Sequence, residues 1–97
     1  MIRAAWHPLA RRELFEAQDF YEARAAGLGA AFLDNVETAV TRLRRQPLSG
    51  SLVEADLRHL RVRRFPYSLI YRLDEERLFI IAVSHDKRKP RYWARRA

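Results

Sequence analysis

The sequence contains no cysteine, and this absence excludes several classes of protein at once. A disulfide-stabilised domain, a thiolate zinc site and a cysteine nucleophile all need thiol groups. Long apolar runs are also missing: the longest, Leu78 to Val83, has six residues, whereas a membrane span needs roughly 20. The first residues lack the apolar core of a signal peptide. We therefore expect a protein of the reducing cytoplasm that does not associate with membranes.

Glycine and histidine are too few and too scattered for the common cofactor and metal sites. The three glycines match neither the dinucleotide-binding fingerprint nor the P-loop. His7, His59 and His85 fall in three separate predicted elements without the spacing of metal ligands. Residues 84–86 read Ser-His-Asp, but consecutive strand residues point to opposite faces and cannot form a catalytic relay. We expect no cofactor and no metal.

Positive charge is abundant but unevenly distributed. The net charge is +7, yet residues 1–56 contain 7 Arg and 8 Asp or Glu, a net of −1. Residues 57–97 contain 12 Lys or Arg and 4 Asp or Glu, a net of +8. Seventeen of the 19 cations are arginine, whose planar guanidinium forms bidentate contacts with phosphate or carboxylate. The basic half indicates an anionic partner, either a nucleic acid or an acidic protein segment.

The first half of the chain predicts a strand followed by a helical hairpin. The apolar stretch from Ile2 to Trp6 predicts the strand, and Pro8 suits the first turn of a helix. Apolar residues recur at helical spacing over residues 8–25, and again from Phe32 to Leu43 after two glycines that interrupt the pattern. Residues 47–56 contain turn residues and show no period, so we expect a loop there.

The second half changes to the two-residue period of strands. Residues 57–64 alternate between apolar and basic side chains, and residues 67–73 and 78–84 complete a three-stranded meander. The expected fold is a single α+β domain over residues 1–97 with the order β-αα-βββ. In this fold the helical hairpin packs on one face of a mainly antiparallel four-stranded sheet. The other sheet face is expected to be free for binding.

Basic and aromatic residues alternate along this second half. Such a mixture suits a phosphate backbone with unstacked bases, because cations pair with phosphates and rings stack on bases. The alternative is a solvated arginine face whose aromatic residues serve as core or tail anchors. The candidate binding residues are Arg58, His59, Arg61, Arg63, Arg64, Arg72, Arg88, Arg91, Trp93 and Arg95.

The tail from Arg88 to Arg96 has two alternative interpretations. Exposed ion pairs contribute little stability, so its charge favours contact with an external anionic target, and the tail is then dispensable for folding. Alternatively, Trp93 packs back on the sheet as a lid and the tail is structural. The sequence leaves both interpretations open.

Three motifs in order resemble the RelE/ParE superfamily of type II toxin–antitoxin toxins. They are Leu57-Arg58, residues 65–72 (Phe-Pro-Tyr-Ser-Leu-Ile-Tyr-Arg) and residues 83–95 (Val-Ser-His-Asp-Lys-Arg-Lys-Pro-Arg-Tyr-Trp-Ala-Arg). The resemblance covers nearly the whole chain and implies the same β-αα-βββ fold. It also implies a toxin that a cognate antitoxin neutralises within a hetero-oligomer. We expect that antitoxin to lay an acidic, amphipathic segment over the basic half.

The superfamily divides by activity. RelE-like members are ribosome-dependent mRNA endonucleases, whereas ParE-like members poison DNA gyrase through contacts alone. RelE-like chains typically carry Arg where this sequence has Ser68, and the ending from His85 to Trp93 resembles the ParE-like branch, so gyrase poisoning is favoured. A non-toxic nucleic-acid-binding module is a third alternative. If the chain is a nuclease, the candidates are Arg61 or Arg63 for phosphate binding, Arg88 for the transition-state charge, and His85 or Tyr92 for proton transfer.

Overall fold

Two helices and five strands make up the fold in the computed structural model, which describes residues 1–97. The order confirms the predicted α+β architecture with one added strand. Neither helix combines the length and the apolar composition needed to cross a bilayer. In chain order the elements are β1 (Arg3–Trp6), α1 (Pro8–Arg24), α2 (Leu28–Arg45), β2 (Ser51–Glu54), β3 (Leu57–Arg61), β4 (Tyr67–Asp74), β5 (Arg77–His85) and a 3₁₀ turn (Ala94–Arg96).

Local sequence features begin the first helix and separate it from the second. The His7 Nδ1 atom accepts a hydrogen bond from the Leu9 N–H at 3.0 Å and caps the start of α1. Gly27 joins the helices with a φ of 86°, a left-handed conformation that favours glycine. A Cβ on Gly29 would lie 2.7 Å from the Gln18 carbonyl oxygen, so the helices approach each other closely there. Gly27 therefore accounts for the predicted break between the helices, whereas Gly29 lies within α2 and permits their close packing.

The strands form one mixed sheet in the order β1-β5-β4-β3-β2. Only β1 pairs in parallel, with β5, and the other neighbours are antiparallel. The prediction of a loop over residues 47–56 was wrong, because β2 forms within it and pairs Ser51 with His59 and Leu52 with Arg58. This strand lies at the sheet edge and Leu52 is 60% exposed, so its residues lack the alternation of a half-buried strand.

The main core lies between the helical hairpin and one face of the sheet. Phe32 and Leu43 from α2 pack against fully buried strand residues, including Tyr71. The Tyr71 hydroxyl donates to the Pro47 carbonyl at 2.7 Å and accepts from the Gly50 N–H at 3.0 Å. This core anchors the sheet and holds the segment that leads into β2.

The opposite sheet face carries a second, smaller core. The pairing of β4 with β5 shifts between Ile70 and Tyr71, where a bulge places the consecutive residues Ile81 and Ala82 in this same core. Trp93 covers them and is only 4% exposed. The expectation that this whole face is free for binding was therefore wrong, since the tail occupies part of it.

An ion pair holds the end of the tail against α1. Arg96 donates to both carboxylate oxygens of Glu13, at 2.9 and 3.0 Å, and also to the Ile81 carbonyl at 3.2 Å. The side chains of this pair are 12% and 11% exposed, and the Val83 N–H donates to the same carboxylate at 3.0 Å. Of the two interpretations of the tail, the structure supports the one in which Trp93 is a lid.

The Trp93→Ala variant should lose about 3–5 kcal/mol of unfolding free energy, because it opens a cavity in the second core. The Arg95→Ala variant is the matched control: Arg95 is exposed and forms no ion pair, so its change should stay within about 0.5 kcal/mol. Denaturant unfolding of both purified variants measures the difference. Equal stability of the two variants would show that the lid contributes nothing to folding.

Candidate functional site

Positive charge concentrates at the end of the sheet where β5 finishes. The loop after β3 (residues 62–66) lies beside the segment after β5 (residues 86–91), because the Asp86 N–H donates to the Pro66 carbonyl at 2.9 Å. Arg61 reinforces this contact with a bidentate pair to Asp86, with both bonds at 2.9 Å. We call this surface the basic end; its cations are Arg61, Arg63, Arg64, Lys87, Arg88, Lys89 and Arg91.

Only part of this charge is neutralised within the chain. Arg61 pairs with Asp86, Arg91 pairs with Glu54, and Arg88 approaches the Glu13 carboxylate at 4.0 Å. The remaining cations are exposed and have no carboxylate within 4.0 Å; they are Arg63, Arg64, Lys87 and Lys89. Four uncompensated charges on two adjacent segments make this surface suitable for a polyanion.

The local sequence explains why the loop presents its arginines outward. Val62 and Phe65 are buried at 2% and 6% exposure, so they anchor both ends of the pair Arg63 and Arg64. Hydrogen bonds from the Val62 N–H to the Tyr67 carbonyl and from the Tyr67 N–H to the Phe65 carbonyl tighten the turn. Arg64 has a φ of 72°, a left-handed conformation that costs roughly 1–2 kcal/mol in a residue with a Cβ.

An open groove of about 350 Å³ lies next to the basic end, between the sheet and the segment after β5. Ser68 and Ser84 are direct cross-strand partners in its lining, so their hydroxyls stand side by side. The only carboxylate in the lining belongs to Asp86, which already pairs with Arg61. His59 and His85 also line the groove, together with Arg88, Lys89 and Arg91. Hydrogen-bond donors therefore predominate, as an anionic ligand requires.

The five residues considered for a nuclease do not line one cleft. His85 and Arg88 line the groove, whereas Arg61 and Arg63 flank the neighbouring loop. The Arg88 guanidinium lies 3.8 Å from the ring centroid of Tyr92, and Tyr92 is absent from the groove lining. The His85 Nδ1 atom accepts a hydrogen bond from the Lys87 N–H at 3.0 Å. The groove therefore brings His85 and Arg88 together, while Arg61, Arg63 and Tyr92 lie outside its lining.

Burial determines the ionisation of Tyr92. Desolvation, with a further contribution from the Glu13 carboxylate, raises the pKa of the Tyr92 phenol to about 12. The phenol is protonated at neutral pH, as an ordinary phenol with a pKa of 10.0 also is, so the raised pKa changes its ionisation only in the alkaline range. The same environment places its hydroxyl 3.5 Å from the Val83 carbonyl oxygen. The Tyr92 ring packs against the Arg88 guanidinium.

Several predicted binding residues lie away from the basic end. Arg58 points to the helix side of the sheet and donates to the Gly50 carbonyl at 2.8 Å, so it holds the start of β2. Arg72 stacks on Phe79, with 4.8 Å between the guanidinium carbon and the ring centroid. Trp93 is buried and offers no contact surface, while Arg95 is exposed on the tail. The basic end is therefore smaller than the predicted set.

Sequence reasoning missed the two carboxylates that organise this surface. Glu13 lies on α1 and Glu54 on β2, and they pair with Arg96 and Arg91 across 83 and 37 residues. Each resembles an ordinary solvated residue of its own element, so the sequence carries no local signal of the pairing. Lys87 and Lys89, two unpaired cations of the basic end, were also absent from the predicted set.

A second surface is apolar. A groove of about 460 Å³ lies between β1 and the two helices and is lined mostly by hydrophobic residues, including Trp6, Leu14, Phe15 and Leu33. Phe15 is 45% exposed there. Glu37 and Arg44 are its only charged residues. The groove is therefore an apolar depression beside the helices.

Comparison with known families identifies the chain. The family model described as the ParE toxin of the type II toxin-antitoxin system, parDE, matches residues 4–90. The chain belongs to the ParE toxin family. This confirms the predicted resemblance to a type II toxin and, within it, to the ParE-like branch.

A solved structure has the same fold as this ParE-family chain. The chain is similar to one from a chromosomal ParDE toxin–antitoxin (TA) system of P. aeruginosa, with a TM-score of 0.74 and 20% sequence identity. The alignment covers 88% of this chain and 96% of that one. A search of curated protein sequences gives no match. At this identity the structural likeness establishes the fold.

Titration should reveal the protected phenol of Tyr92. Its phenolate absorbance should appear only near pH 12, and the difference spectrum between wild type and Tyr92→Phe isolates it. Since the folded pKa is raised above the ordinary value of 10.0, Tyr92 contributes stability that is complete below pH 10 and is lost as pH rises towards 12. The Tyr92→Phe variant should lack this part of the alkaline loss. Ionisation of Tyr92 near pH 10 would contradict the burial argument.

Proposed function

We propose that this chain inhibits growth by binding DNA gyrase and stabilising the gyrase–DNA cleavage complex, and that a cognate antitoxin neutralises it. The single observation that carries the proposal is the match to the ParE toxin family over residues 4–90. The geometry supports a mechanism by contact, since four exposed cations without a carboxylate partner lie on two adjacent segments, whereas Tyr92 lies outside the groove that His85 and Arg88 line.

Such a mechanism needs no catalytic group in the toxin. Gyrase itself breaks and reseals DNA, so a bound protein has only to prefer the cleaved state over the resealed state. A differential affinity of about 1.4 kcal/mol shifts that equilibrium tenfold. A domain with a packed core on each face of its sheet presents its surface loops in a defined position, which reduces the entropic cost of binding.

The two surfaces of the chain also suit an antitoxin. The apolar groove beside Phe15 can receive the hydrophobic anchors of an amphipathic segment, and the basic end can receive its carboxylates. A segment with both features matches the chain better than one that is only acidic or only apolar. The product is a toxin–antitoxin hetero-oligomer in which the exposed apolar area is covered.

Gyrase poisoning predicts a specific cellular response. Induction of the toxin should produce filamentous cells, a DNA-damage response and covalent gyrase–DNA complexes, while translation continues at first. The Tyr92→Phe variant should be as toxic as wild type, because contact needs no proton transfer. A RelE-like nuclease that uses Tyr92 would instead stop translation early, cut ribosome-bound mRNA and lose at least about 100-fold in rate in this variant. Normal growth on induction would favour a non-toxic nucleic-acid-binding module.

Antitoxin recognition predicts rescue by a neighbouring gene. Co-expression of the adjacent small open reading frame, upstream or downstream, should restore growth, and its product should co-purify with the toxin. The Phe15→Glu variant should reduce co-purification, because it places a charge in the apolar groove. Phe20→Glu is the matched control: Phe20 is 51% exposed on the same helix but does not line that groove. Failure of both neighbours to rescue would contradict the proposal.

A further inference from the structure

We propose that the basic end binds the phosphate backbone of nucleic acid, so that the chain recognises gyrase together with the DNA it holds. This inference rests on the proposed gyrase target and names a second partner at that target. Its basis is the juxtaposition of the β3–β4 loop and the segment after β5.

The first argument is positive charge that no carboxylate of the molecule neutralises. Arg63 and Arg64 on the loop, and Lys87 and Lys89 on the segment after β5, are exposed and lie beyond 4.0 Å from any carboxylate. Like charges on adjacent segments repel one another, so their clustering brings no stability to the isolated domain. A phosphate backbone relieves the repulsion, and each neutralised phosphate releases condensed counterions.

The second argument is preorganisation of the loop. The buried residues Val62 and Phe65 fix its backbone on either side of the two arginines. Arg64 keeps a left-handed φ of 72°, which glycine would adopt without strain. Arginine at a position that suits glycine is a local conflict between sequence and backbone, and such conflicts concentrate at functional sites. Arginine at position 64 supplies a guanidinium group, which glycine would not supply.

The third argument is the chemistry of the adjoining groove. The hydroxyls of Ser68 and Ser84 stand side by side beneath the segment that carries Arg88 and Lys89. The one carboxylate in the lining, on Asp86, is already paired with Arg61. An extended peptide brings backbone N–H groups that need acceptors, whereas a phosphate backbone brings only acceptors. The donor-rich lining therefore favours phosphates over an extended peptide.

Direct binding to DNA tests the inference on the purified full chain. The probe is a fluorescently labelled duplex of 30 base pairs with random sequence, titrated between 50 and 200 mM salt. The double variant Arg63→Ala/Arg64→Gly should bind roughly tenfold more weakly, and the slope of log affinity against log salt should fall by about two. This variant should remain folded, because glycine suits the φ of residue 64.

The matched control removes the same charge from the opposite end of the sheet. Arg3 and Arg45 are exposed and form no ion pair; Arg3 pairs with the start of β5, far from the end where the basic residues gather. The Arg3→Ala/Arg45→Ala variant should bind DNA with nearly wild-type affinity. Equal loss in both double variants would mean that net charge alone drives binding, and this would overturn a localised site.

Gyrase assays separate the inference from the proposed function. With purified gyrase and plasmid, Arg63→Ala/Arg64→Gly should need roughly tenfold more protein than the control variant to yield the same amount of cleaved DNA. If wild type poisons gyrase and the two double variants are equally potent, the DNA contact is overturned and the gyrase target stands. If wild type fails to poison gyrase, the gyrase target is overturned. The duplex titration then still decides whether the basic end binds DNA. Loss of antitoxin binding without loss of DNA binding in Arg63→Ala/Arg64→Gly would assign the basic end to an acidic protein instead.

Discussion

The central constraint of this structure is that β5 is apolar on both faces. Its residues Leu78 and Ile80 enter the main core under the helices, while Ile81 and Ala82 enter the core on the opposite face. Neither face can be left in water, since exposed apolar area would cost about 25 cal/mol per Å². The helices cover one face and the tail must cover the other. Trp93 is the residue that meets this requirement.

The position of the basic end follows from the packing of Trp93 on the sheet. When Trp93 returns to the sheet, the chain after β5 must turn beside the β3–β4 loop, where Arg61 and the Pro66 carbonyl hold Asp86. The Glu13 carboxylate then compensates Arg96 near α1, and the remaining cations point outward. A packing requirement thus gathers residues from two segments into one basic end. Stability and the proposed contacts depend on the same arrangement of the tail.

Much of the fold followed from periodicity. Both helices, the turn at Gly27 and the strands β1, β3, β4 and β5 were predictable, because their apolar spacing or turn chemistry is local. The edge strand β2 was not predictable, since Leu52 is exposed and the segment shows no alternation.

The site was predicted in part. The basic character of the second half was evident from the sequence, but the division between structural arginines such as Arg58 and exposed ones such as Arg63 was not.

The sequence by itself determined the α+β class, the helical hairpin, the excess of arginine and the resemblance to a toxin family, because these depend on composition and on short-range spacing. Tertiary structure alone decided which charges are neutralised and which remain free. Arg96 and Glu13 are 83 residues apart in the chain, and the bulge that turns Ile81 and Ala82 to one face exists only in the paired sheet. Contacts between distant segments form only in the folded chain, and local patterns carry no record of them.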